Sequence, residues 1–143
     1  MVSNLDRAIE IAVRAHAGQL DKAGQPYILH PLAVMLSMST EVERIVAVLH
    51  DVVEDCGVTL DQLRAEGFVP EVVSGVDAVT RRSGETYADF VIRAGMDPIG
   101  RRVKIRDLRH NADIGRIAEP TAADYARTEK YRRAIEQLEA VSA

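Results

Sequence analysis

The residues best equipped for chemistry cluster in Val46-Ala47-Val48-Leu49-His50-Asp51-Val52-Val53-Glu54-Asp55, with Glu43 just upstream. Carboxylates and an imidazole interrupt a run that is otherwise apolar. Unpaired charge out of water is costly, so these groups need a partner, and a bound cation is one that serves them all. Metal ligation needs lone pairs converging from separate elements. His50 and Asp51 adjoin, so further ligands must come from elsewhere. His30, before Pro31 at a loop-to-helix junction, is placed to point across a cleft. Asp107, in an apolar late segment beside Arg106, is the best downstream carboxylate, and Asp113 is the alternative. Such a His-His-Asp-Asp set mixes imidazole nitrogen with hard oxygen. It suits Mn²⁺, Fe²⁺ or Zn²⁺ better than Ca²⁺ and leaves positions open for water and substrate. Glu54, one turn beyond His50, can accept or orient a proton of the attacking water. Lys22, Lys104 and nearby arginines can offset the charge of a polyphosphate.

Plainer roles compete with each of these. His50-Asp51 alone reads more often as a satisfied helix-edge pair, Asp107 as a salt-bridge partner of Arg106 or of neighbours on the Arg102 side, and Glu54-Asp55 as a solvated helix end. Tyr27 can stack on a base or pack under its loop. His16 and His110 read as packing residues and Cys56 as a small apolar residue.

The elements that must position these groups are helices. Thr40 with Glu43 three residues later is a capping box. Val42, Ile45, Val46, Leu49, Val52 and Val53 then recur at helical spacing, which predicts one helix from Thr40 through Asp55 with His50 on the edge of its buried stripe. In that helix, Glu54 stacks on His50 and Asp55 on Asp51. Ser3 or Asn4 caps a first helix to about Ala17. Gln19 to Tyr27 is a polar loop punctuated by Gly and Pro. Pro31 opens a second helix. Shorter helices follow from Thr59, Pro70 and Thr86, then one from Asp97-Pro98 to about Asn111. A loop from Ala112 to Pro120 leads to a long final helix, about 121–141, with Tyr125, Thr128, Tyr131, Ile135 and Leu138 inward. No strand or internal repeat is evident, and the fold class is all-α.

A length of 143 residues suits one domain, 1–143, with a real core. The net charge of −4 disfavours a nucleic-acid surface, and the arginines between Arg101 and Arg116 read as a solvated face except where they line the metal cleft. A lone cysteine, the absence of a membrane-length apolar run and the lack of a signal-peptide pattern lead to the expectation of a cytoplasmic protein without membrane contact.

Four blocks then carry a resemblance. They are Ala15-His16-Ala17-Gly18-Gln19; Lys22-x-Gly24-x-Pro26-Tyr27-Ile28-x-His30-Pro31-Leu32; His50-Asp51-Val52-Val53-Glu54-Asp55; and Val103-Lys104-Ile105-x-Asp107-x-x-His110-Asn111. In order and spacing, over roughly residues 5–111, they resemble the hydrolase domain of RelA/SpoT-type proteins, which are HD-domain metal-dependent phosphohydrolases. The size resembles that of stand-alone small alarmone hydrolases. The resemblance implies a helical HD bundle with a metal site between helices. It makes His30, His50, Asp51 and Asp107 the ligands of one Mn²⁺, or of another divalent transition metal. It makes Glu54 and Asp55 the acids that handle the attacking water, Lys22 a substrate-binding lysine and Asn111 a nucleotide-contacting asparagine. Tyr27 joins these two as a candidate for substrate contact. The implied reaction removes the 3′-pyrophosphate of guanosine 3′,5′-bis(diphosphate), ppGpp. Two alternatives are hydrolysis of another nucleotide or dinucleotide phosphate, and a metal-bound nucleotide-binding regulator with little turnover. The resemblance departs at Asp21, where bifunctional members carry an arginine that stacks on guanine. An acid cannot make that cation–π contact and would repel phosphate. The late block also departs, with Arg106 where the family has a small residue before its aspartate.

Overall fold

The structure is a computed structural model that describes residues 3–141. Its described helices are α1 (Leu5–Ala15), α2 (Leu29–Leu36), α3 (Glu41–Leu49), α4 (Val52–Cys56), α5 (Leu60–Ala65), α6 (Pro70–Ala78), α7 (Tyr87–Met96), α8 (Pro98–Asn111) and α9 (Ala122–Glu139). A 3-10 turn, Ile114–Arg116, lies between α8 and α9. Among the described residues there is no strand, only an isolated bridge between Leu20 and Pro26 that ties the ends of the polar loop together. The all-α expectation holds.

Local chemistry starts most of these helices. Asn4 caps α1 by accepting the Arg7 N–H, and Thr40, Thr59 and Thr121 each form a capping box with the acidic or amide side chain three residues on. Asp97 accepts from the amides of Ile99 and Gly100 at the start of α8. Helix α2 begins two residues earlier than Pro31 predicted, with Pro31 still in the first turn where no N–H is needed. Several helices stop short of their expected ends. In α9 Tyr125 is exposed rather than inward, whereas Thr128, Ile135 and Leu138 are buried as expected.

The core has two parts. The larger gathers apolar faces of α1, α2, α3, α5 and α6, with Val46, Val48, Leu49, Leu63, Val72 and Val76 essentially sealed from solvent. The smaller packs Val91 of α7, Ile105 and Leu108 of α8, and Ala134, Ile135 and Leu138 of α9. Helix α8 adjoins both, because Val103 belongs to the first cluster and Ile105 to the second.

Two glycines set how close the helices come. A Cβ on Gly75 in α6 would lie 2.9 Å from Val46 Cγ2 of α3, and one on Gly100 in α8 would lie 2.8 Å from Ala78 Cβ of α6. Helix α6 therefore draws α3 and α8, the bearers of His50 and Asp107, toward one another.

The central helix is not continuous. The Ala47 carbonyl, which would take the Asp51 N–H in an unbroken helix, accepts the His50 N–H at 3.4 Å and the His50 ring Nδ1–H at 2.5 Å. The chain tightens at His50-Asp51, and the ladder resumes with the Asp55 N–H donating to the Asp51 carbonyl at 3.0 Å. Glu54 and Asp55 thus sit on α4, a separate short helix ended by Gly57 at φ 74.

Gly100→Ala is expected to lower stability by about 1–3 kcal/mol through overpacking against Ala78. A denaturant melt with unchanged slope and a lower midpoint will show it.

Candidate metal centre and adjoining cleft

Three of the four expected ligands converge without qualification. His30 at the start of α2, His50 between α3 and α4, and Asp107 in α8 are all buried, and one donor atom from each lies within 4.8 Å of the others. His30 Nε2 is 2.8 Å and His50 Nε2 is 3.2 Å from Asp107 Oδ1. Asp51, the fourth expected ligand, lies outside that group of three and meets only His50 within it, its Oδ2 3.1 Å from His50 Nε2. Asp113, the alternative carboxylate, lies outside the cluster and accepts the Gly115 N–H within the 3-10 turn.

The donor set fits a cation. A carbonyl oxygen only accepts, so the contact to Ala47 requires the hydrogen of His50 to be on Nδ1. The neutral ring then directs a bare Nε2 lone pair at two carboxylates, which is repulsive unless a proton or a metal ion lies there. Burial opposes protonation of His50, yet Asp51 and Asp107 outweigh it and hold the pKa well above the usual histidine range. His30 makes a second pairing, with its Nδ1 2.6 Å from His110 Nδ1 and the rings stacked at 4.8 Å. Burial, with Arg116 and His30 nearby, lowers the His110 pKa to about 4. His110 is therefore neutral and able to accept a His30 Nδ1–H, the tautomer that would leave His30 Nε2 for a ligand.

Several neighbours act differently from their expected roles. Lys104 turns to the centre and not to the cleft: largely buried, it donates to Asp107 Oδ2 at 2.9 Å and lies 4.8 Å from the Phe90 ring centroid. Burial would lower its pKa, but Asp107 raises it overall. Burial likewise pulls Asp107 toward protonation, and Lys104, His50 and His30 reverse that, keeping it well below the carboxylate range. Asn111 donates its amide to Asp107 Oδ1 at 3.1 Å. The Tyr27 hydroxyl donates to Asp51 Oδ2 and its ring packs 5.0 Å from His16, so the side chain braces a carboxylate rather than standing open as a platform. Glu43 is unrelated to the centre, because Arg102 and the Thr40 cap neutralise it.

Glu54 and Asp55 are exposed. Glu54 Oε1 accepts the Arg81 N–H at 2.8 Å. Burial, then the charges of Asp51 and Glu54, push the Asp55 pKa upward.

Beside His30 opens a cleft of about 370 Å³ that Lys22, Tyr27, Asn111, Arg116 and Tyr131 help to line. The three residues expected to contact substrate therefore share one cavity, which reaches the centre at His30. Asp21 also lines it, but its carboxylate is engaged: Oδ1 accepts from the amides of Ala23 and Gln25, each at 2.9 Å, and Oδ2 is 3.7 Å from Arg116 Nη2. His110, which the sequence places in the last motif block as a structural residue, contacts His30, a pairing that no local pattern reveals.

An all-α bundle with buried imidazoles and carboxylates from three helices defines the class. A family model described as "HD domain" matches residues 8–97, more than half of the sequence. The chain belongs to the HD-domain family. It is 37% identical over 154 aligned residues to the "Bifunctional (p)ppGpp synthase/hydrolase RelA" of Mycobacterium tuberculosis, covering 99% of this chain and 20% of that protein. It is 38% identical over 86 residues to the "Guanosine-3′,5′-bis(diphosphate) 3′-pyrophosphohydrolase" of Vibrio cholerae, covering 56% of this chain and 12% of the relative. The chain spans about a fifth or less of these relatives' lengths. The solved structure of a metazoan SpoT ortholog that hydrolyses ppGpp aligns with all of this chain and 89% of that one, at a TM-score of 0.76 and 20% identity, and so shares the fold. No described helix is long and apolar enough to cross a membrane.

Two outcomes follow for purified protein. The raised His50 pKa gives metal-free protein a stabilising contribution that is complete below the unfolded value of about 6.5 and is lost as pH rises through the folded value. Thermal melts in chelator should fall as pH rises above about 6.5, and added Mn²⁺ should restore more at high pH than at low, because metal and proton compete for Nε2. Tyr27→Phe keeps the ring and removes the donor to Asp51. It should weaken Mn²⁺ binding about 10–100-fold by titration calorimetry.

Proposed function

We propose that the chain is a metal-dependent phosphohydrolase of nucleotide polyphosphates, acting as a ppGpp 3′-pyrophosphohydrolase in the cytoplasm. The observation that carries this reading is the convergence of His50 Nε2 on Asp107 and Asp51, with His30 alongside and the cleft opening beside it. His30, His50, Asp51 and Asp107 would hold the ion, with Mn²⁺ the preferred metal. Bound there, a divalent cation supplies a water of lowered pKa and polarises a phosphoryl oxygen.

The chain's own residues complete the chemistry. Asp55, whose raised pKa suits proton transfer nearer neutrality, accepts the proton of the attacking water. Glu54, anchored on the Arg81 N–H, orients that water. Lys22 at the cleft mouth meets the substrate's phosphates, while Asn111 and Tyr27 line the wall and keep Asp107 and Asp51 aimed. The names of the M. tuberculosis and V. cholerae relatives support ppGpp as substrate.

Asp21 favours a second reading, hydrolysis of another nucleotide or dinucleotide phosphate, since no loop arginine is present to select guanine. Retention of both Glu54 and Asp55 argues against a regulator without turnover.

The test is phosphate and pyrophosphate release with Mn²⁺ across ppGpp, pppGpp, NADPH and common nucleotides. Pyrophosphate from ppGpp, abolished by chelator, is the expected result. Release from another compound alone would replace ppGpp, and no release from any would contradict the hydrolase reading. Glu54→Ala combined with Asp55→Ala should lower kcat about 10²–10⁴-fold without loss of bound metal.

A further inference from the structure

We infer that Arg116 is the base-recognising residue of the cleft, the plane of its guanidinium serving as the platform on which a nucleobase stacks. The inference rests on the nucleotide reading above and assigns the base end of that same site.

Arg116 closes the 3-10 turn that Asp113 caps and lines the cleft with its side chain 30% exposed. Its Nη1 donates to the His110 carbonyl at 2.9 Å, and its Nη2 stands 3.7 Å from Asp21 Oδ2. These acceptors come from opposite walls, the end of α8 and the polar loop. Asp21 is itself fixed by the Ala23 and Gln25 amides, so it offers a rigid anchor.

A guanidinium binds in two ways. Phosphates approach its edge, where the N–H groups point; aromatic rings approach its face. In Arg116 one edge N–H is committed to the His110 carbonyl, and the Asp21 carboxylate, 3.7 Å from Nη2, lies along the same edge and offsets its charge. That makes it a weak phosphate ligand and leaves the face for stacking. Lys22, exposed at the same cleft, remains the cation for phosphate. The acid at position 21 is then not a repulsive defect. It orients a cation supplied by the facing wall, which takes over the stacking that an arginine in the loop would perform.

The experiment compares wild type with Arg116→Lys, Arg116→Ala and Asp21→Asn, with folding followed by thermal melts. Calorimetry measures binding of GDP and of inorganic pyrophosphate, and pyrophosphate release from ppGpp gives KM and kcat. Arg116→Lys keeps the charge and loses the plane. It should weaken GDP about 2–30-fold, raise KM in step, and leave pyrophosphate binding near wild type. Asp21→Asn should also weaken GDP, since it frees the guanidinium to turn. Wild-type GDP affinity in Arg116→Lys would overturn the inference, as would equal weakening of GDP and pyrophosphate in Arg116→Ala, which marks a role through charge alone. Absence of ppGpp turnover in wild type that still binds GDP counts against the proposed reaction and leaves Arg116 to be judged by the GDP comparison.

Discussion

The structure depends on one constraint: two imidazoles and two carboxylates are held together largely out of water, with the ring hydrogen of His50 already committed to the Ala47 carbonyl. Such a group is stable only if every charge is answered. Lys104 answers one oxygen of Asp107 and Asn111 helps with the other, Tyr27 answers Asp51, and the remaining space between the nitrogens and oxygens calls for a cation. The fold serves that arrangement. The turn at His50-Asp51 exists because the His50 side chain takes over a helical carbonyl, and the glycines of α6 and α8 let the helices bearing His50 and Asp107 approach.

Buried and exposed groups divide the labour. Residues that would hold an ion are fixed by contacts from α2, α3, α8 and the polar loop, whereas Glu54 and Asp55 face solvent on α4. Solvent access is what a proton acceptor would need there, and the Asp55 pKa is raised by desolvation and by the neighbouring charges of Asp51 and Glu54. The cleft continues from His30 toward the loop and the 3-10 turn, so a substrate can lie along it with its reacting end at the centre.

Much of this was legible in the sequence. Capping boxes at Thr40, Thr59 and Thr121 and the apolar periodicities located helices well, and the four motif blocks named the residues that converge. What was hidden was pairwise geometry. Apolar spacing on both sides of His50 is continuous, so periodicity cannot reveal that a side chain captures the Ala47 carbonyl and breaks the helix. Lys104 looked like a substrate cation because a lysine three residues before an aspartate does not disclose that the two pair away from solvent. Asp21 looked repulsive because its partners, two loop amides and Arg116, are far apart in chain or carry no side-chain signature. The stack of His110 on His30 joins residues 80 positions apart, beyond any local pattern.

The most direct test of the central claim is pulsed electron paramagnetic resonance of Mn²⁺ bound to the protein, read for nitrogen hyperfine couplings. One ion per chain with two directly coordinated imidazole nitrogens is expected, one lost in His30→Ala and one in His50→Ala. A bound ion with no histidine nitrogen in its coordination sphere, or one whose couplings survive both substitutions, would contradict that claim.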